Sequence, residues 1–206
     1  MSGSLTFNPS LTTNVPNSFL LQTQGYIQGF AMDDPSARME LSGGVLASTE
    51  TLVMWGGVPV TELINITGSG SDLLGPALKR ATSQATVTAW STFNQAHSML
   101  ITPGGSTAPV AATGHYVAFF RNGTNIRLAV ACDPALISTI ASAGDNVSSL
   151  ALFWDVTNFR ITLTTTGGNF ALPASTRLLS VNTNSKIITA GPPPVWAAGD
   201  AALILI

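Results

Sequence analysis

Apolar and polar side chains alternate along this chain in short runs of roughly four to eight residues, the period of half-buried β-strands rather than of helices. The densest run covers 114–132 and reads Gly-His-Tyr-Val-Ala-Phe-Phe-Arg-Asn-Gly-Thr-Asn-Ile-Arg-Leu-Ala-Val-Ala-Cys. Its two arms meet at Asn122-Gly123, the pair suited to a type I′ hairpin turn, in which both central residues take positive φ. Tyr116, Phe119 and Phe120 on one arm and Ile126, Leu128 and Val130 on the other are expected in the core. Arg121 and Arg127 flank the turn as its exposed charges. A lone hairpin is not stable in water, so the remaining sequence must supply further strands.

It does so at regular spacing. Residues 26–32 are strand-like and close on Asp33-Asp34-Pro35-Ser36, and 38–46 is a run bent at Gly43-Gly44. Runs 51–55 and 58–66 flank Gly56-Gly57, with Pro59 placing the second at an edge. Gly75 and Pro76 make 73–80 a poor helix. Over 84–90, Ala85, Val87 and Ala89 face one way and Thr86, Thr88 and Trp90 the other, as in a half-buried strand. Asp133 as N-cap with Pro134 at the first helical position predicts a short helix over 133–140. Runs 149–154 and 159–165 form a hairpin about 155–158, and 178–181 with 186–189 a further one.

The ends differ from this body. Residues 1–24 hold Pro9 and Pro16 among Ser, Thr and Asn, with Leu5, Phe7, Leu11 and Phe19 as spaced apolar anchors, and read as an extended arm. Residues 191–206 join a polyproline spacer to an apolar strand that either completes the chain's own core or adds to a neighbour's sheet. The expected organisation is an arm (1–24), a β body (25–190) and a Pro-rich extension with a final strand (191–206). The expected fold is all-β, a barrel or sandwich.

Charged residues make up 9% of the chain, against a usual share of roughly 25%. A neutral, moderately apolar surface favours association. Two lysines and six scattered arginines are too few for a nucleic-acid footprint, and no apolar run is long enough to span a bilayer. The first residues lack the basic and apolar regions of an export signal, so the Asn-X-Ser/Thr matches at Asn65, Asn122 and Asn146 are read as chance. Little chemistry is suggested. His97 and His115 stand apart from other ligands, and Cys132 sits in an apolar run where an inert buried thiol is the usual case. Asp33, Asp34, Glu40, Glu50 and Glu62 include no pair that points to acid–base work, and the Gly pairs lack the context of a phosphate loop. Trp55, Trp90, Trp154 and Trp196 suit core or interface positions better than a sugar platform. No enzyme activity, metal or cofactor is expected.

One order of segments does point further. Leu41-Ser-Gly-Gly-Val-Leu46, Val53-Met-Trp-Gly-Gly-Val-Pro-Val-Thr-Glu62, Leu74-Gly-Pro-Ala-Leu-Lys-Arg-Ala-Thr82 and Ala89-Trp-Ser-Thr-Phe-Asn-Gln-Ala-His97 resemble the head cement, or decoration, proteins of tailed bacteriophages. The likeness runs from about residue 25 to 165, through Asn122-Gly123 into Leu152-Phe-Trp-Asp155; the residues beyond fall outside it. The resemblance implies a jelly-roll-like body on the outside of the virion's icosahedral head, bridging major capsid subunits and forming dimers or trimers. Leu5, Phe7, Leu11, Phe19, Arg121, Arg127, Trp196, Leu203 and Ile206 are then the expected contacts with capsid or with a second copy. A carbohydrate-binding receptor or fibre module and a major tail or shell subunit are the rival readings.

Overall fold

A computed structural model describes residues 25–31, 37–64, 75–93, 108–142, 150–191 and 193–206. These residues are mostly β, as the alternation predicts, and the strands fall into three sheets. Strands β1 (Ser42–Leu46), β2 (Pro59–Leu63), β3 (Ala77–Arg80), β4 (Ala89–Thr92) and β5 (Tyr116–Arg121) close into a barrel of order β1-β3-β2-β4-β5. All its neighbours are antiparallel except β1 and β3, which run parallel with Val45 opposite Ala77. Strands β6 (Arg127–Ala131), β10 (Arg177–Thr189) and β11 (Val195–Leu205) form a second sheet with β11 in the middle. A third and smaller sheet has β7 (Phe153–Asp155) between β8 (Arg160–Thr162) and β9 (Phe170–Ala171).

Among the described residues two helices interrupt the strands, a single turn α1 (Ala37–Glu40) and α2 (Pro134–Ser142). The latter begins where expected. Asp133 accepts a hydrogen bond from the Ala135 N–H on Oδ1, which satisfies an otherwise free amide of the first turn. Leu136 and Ile140, four residues apart, bury the inner face of this helix.

The expected hairpin over 114–132 does not form. β5 pairs with β1 and β4, whereas β6 pairs with β11, so the chain crosses from barrel to second sheet at this turn. A type I′ turn needs positive φ at Asn122 and Gly123, but here Gly123 (φ 87°) and Asn125 (φ 57°) take it, with Thr124 between them. The arms therefore diverge, and other strands claim their edges. Asn122 donates its N–H to Thr88 O and its side-chain amide to Val87 O, while the Asn125 N–H donates to Ile206 O at 2.7 Å. Of the six residues expected in the core, only Tyr116 is exposed, at the start of β5.

Other expectations shift for similar tertiary reasons. Residues 84–86 form a 3-10 turn and β4 starts only at Ala89. Pro59 opens β2 inside the closed barrel, between β3 and β4, so the first-residue position rather than an edge accommodates it. Run 51–55 contributes one bridge, Met54 opposite Ala111, and 38–46 divides into α1 and β1. The hairpin expected from 178–181 and 186–189 is instead one strand, β10, with register shifts between Leu178 and Ser180 and between Asn182 and Ser185. Its partner is β11, which lies in the middle of its sheet, so the final strand completes this chain's own core. The hairpin about 155–158 is present as β7–β8.

Residues 25–31 hold the barrel to the second sheet. Gln28 N–H donates to Lys186 O on β10, and one residue later Gly29 N–H donates to Ala129 O on β6. The chain switches strands in that single step because Gly29 has φ +82°, and a Cβ there would run into the Gly56 backbone and the Phe93 ring. The buried Gln28 side chain accepts from Ile188 N–H at 2.7 Å and donates to Gly56 O at 3.2 Å. One apolar core runs through all three sheets, and edge-on packing of Trp90 on β4 against Trp154 on β7 joins the barrel to the third of them.

Candidate functional site

Strand register places Leu46, Val60, Leu78, Ala89, Val117 and Phe119 on the inward face of the barrel, because paired residues share a face. The same inward rows end in an arginine at each mouth. At one mouth Arg121, at the end of β5, donates from Nε and Nη2 to the two oxygens of Glu62 at 2.9 and 2.6 Å and from Nη1 to Ser42 Oγ at 3.0 Å. Strands β1, β2 and β5 are tied there by one guanidinium. The Glu62 hydrogen bond raises the Arg121 pKa further.

At the other mouth Arg80, the last residue of β3, lies buried against the rings of Trp55 and Phe159, 5.0 and 5.1 Å from their centroids, while the two rings meet each other edge-on. It pairs with Glu50 at 3.0 Å and donates to the carbonyls of Leu52 and Val53. Burial lowers its pKa, and the Glu50 carboxylate works against that shift. Phe159 reaches the guanidinium from the β7–β8 turn with φ 52°, a costly conformation for an aromatic residue. The composition offered no signal for either stopper, since Glu50, Glu62, Arg80 and Arg121 are far apart in sequence and only closure of the barrel joins them.

The residues expected to contact partners are distributed unevenly. Leu203 and Ile206 are buried in the chain's own core, and Trp196 is half-buried against Phe93, with ring centroids 5.8 Å apart. None of the three projects freely. Arg121 is exposed but already neutralised by Glu62, while Arg127 is exposed at the start of β6. Leu5, Phe7, Leu11 and Phe19 lie outside the described residues.

Two large apolar side chains also project. Met39, just before β1, and Ile64, just after β2, are 87% and 94% exposed. The start of β1 and the end of β2 lie at the same end of the barrel, the one stoppered by Arg121. Ile64 was legible only as part of the run 58–66, whose alternation gives no hint that the strand stops at Leu63.

Glu50 and Glu62 serve opposite mouths and are each committed to an arginine. Asp155 accepts from the Thr157 and Asn158 amides, the Asn158 side chain and Arg160, whose guanidinium also reaches Asp133 at 3.1 Å. Burial raises the Asp155 pKa, but these hydrogen bonds outweigh it and the net shift is downward. Cys132 is buried, and desolvation, with Asp200 and Asp133 adding to it, pushes its thiol up to about 12. Among the described residues no three His, Cys, Asp or Glu side chains are grouped to hold a metal ion. Comparison with known proteins returns no family model, no curated protein and no solved structure that matches the chain.

Proposed function

We propose that this chain is a structural virion protein that binds the outside of a phage head and ties neighbouring major capsid subunits together, acting as a dimer or trimer. The observation that carries the reading is the pair Met39 and Ile64, large apolar side chains left in solvent at one barrel end of a protein with only 9% charged residues. Such a surface favours burial against another protein, with contacts that salt weakens little. A component that binds only the assembled shell stabilises it by mass action, and many copies on one shell add avidity. The role requires neither catalysis nor a cofactor. The finer expectation of a jelly-roll-like body belongs to the same proposal.

The resemblance of residues 25–165 to head cement proteins supports the assignment of partner, the major capsid protein. The carbohydrate reading is weaker, because Trp55, Trp90 and Trp154 are buried and offer no face to a sugar. A tail or shell subunit is told apart by its copy number and position in an electron-microscopy map.

The test is addition of purified protein to heads that lack it. Binding with a raised head melting temperature is expected. The M39D/I64D variant is expected to stay folded by circular dichroism and to lose binding; a chain that leaves head stability unchanged sinks the proposal. Deletion of residues 1–20 separately tests the arm, and undiminished head binding would remove its assigned role.

A further inference from the structure

Asn122-Gly123 closes no hairpin, and its actual surroundings bear on its own reactivity. An asparagine followed by glycine is prone to cyclise, since no side chain shields the glycine nitrogen. Gly123 is exposed, with nothing within 4 Å of where a Cβ would stand. We infer that Asn122 is a site of one-way covalent modification, deamidation, which the folded turn holds in check and whose product the turn cannot accept.

In the reaction the Gly123 nitrogen attacks Asn122 Cγ and loses its proton as the new N–C bond forms. The Cγ–Nδ2 bond then breaks and Nδ2 leaves as ammonia. Water opens the cyclic imide at either carbonyl, leaving an aspartyl or an isoaspartyl linkage in place of the asparagine. No oxidant or enzyme is needed, and the chain gains one negative charge.

Three observations oppose the first step in the native turn. The leaving nitrogen is held by Val87 O at 2.7 Å, and the Asn122 N–H by Thr88 O at 3.0 Å, so side chain and backbone are both pinned to the segment before β4. Asn122 Oδ1 is buried with no hydrogen-bond donor. Charge that develops on that oxygen in the tetrahedral intermediate is therefore unstabilised, the reverse of an oxyanion hole. Cyclisation must wait for the turn to open.

The same contacts make the change irreversible. A carboxylate at this position has no proton to give Val87 O, and it faces that carbonyl with one oxygen buried and unpartnered. The turn carries the chain from barrel to second sheet, and Asn125 beyond it holds the end of the chain through Ile206 O. Once modified, the junction does not reclose.

Two measurements test this on the full-length chain. Protein is kept in mildly alkaline buffer with and without urea, and the peptide containing Asn122 is followed by mass spectrometry. Conversion at least about tenfold slower without urea is expected, because the reaction follows the open fraction; equal rates overturn the protective role. Asn122→Asp and Asn122→Ala are then melted across pH. The Asp variant is expected to melt below the Ala variant at neutral pH and to catch up in acid, where a protonated carboxyl can donate to Val87 O. An Asp variant as stable as the Ala variant at neutral pH overturns the one-way product. Should Asn122→Asp not fold at neutral pH, acidification is expected to refold it, and failure in acid where Asn122→Ala folds overturns the inference as well.

Discussion

Arg80 is the residue on which the far end of the barrel depends. Its guanidinium and the Glu50 carboxylate are each about nine-tenths buried, so removing one partner strands the other charge in the interior. Arg80→Met is expected to cost about 3–5 kcal/mol in urea unfolding, the usual cost of breaking a buried pair. The exposed Arg121→Met change is expected to cost clearly less, because solvent screens its pair with Glu62. Asp155 sets a pH dependence. Its folded pKa lies below the ordinary 3.8, so it adds stability above that value and loses the contribution as pH falls through the folded pKa. The gap in urea midpoint between wild type and Asp155→Asn should therefore be widest near neutrality and close in strong acid. Cys132, with its thiol pushed up to about 12, is expected to resist alkylation until the protein unfolds, as a timed thiol assay in and out of urea would show.

Among the elements, β11 takes the first of the two places open to the final apolar strand, in the core of its own chain. Ile206, just beyond it, is 2% exposed, its N–H donates to Ile126 O, and its carbonyl accepts from Asn125. Deleting Ile206 is expected to cost roughly 2–5 kcal/mol, on the scale of emptying a buried aliphatic site, and an unchanged thermal midpoint would show the end to be dispensable. Helix α2 and the β7–β8 hairpin were legible because an Asp-Pro start and a short polar turn are local signals. Strand β10 was not, since its bulge at Asn182–Ser185 carries the polar residues that a turn would also carry. The Asn122-Gly123 signal was real as a turn and misleading as a hairpin, because pairing depends on which edges are free.

For the whole molecule, low charge and exposed Met39 and Ile64 lead to one expectation in solution. If that barrel end is a contact between copies, Ile64→Asp should shift a dimer or trimer towards monomer in sedimentation without loss of β signal; an unchanged oligomer would leave the patch to the capsid alone. Of the two Arg–Glu stoppers, Arg121–Glu62 shares the end that bears Met39 and Ile64, and Arg80–Glu50 closes the opposite one.

The sequence by itself determined that this is a β protein with a short helix near 134, little surface charge and a final apolar strand, because strand alternation, capping residues and composition act locally. Only the tertiary structure decided that β5 and β6 part company and that β11 fills the centre of its own chain's sheet. It also decided that Arg80 and Arg121 close opposite mouths of one barrel. Each of these rests on pairing between residues distant in sequence, where competition for strand edges and for buried counter-charges, rather than local preference, sets the outcome.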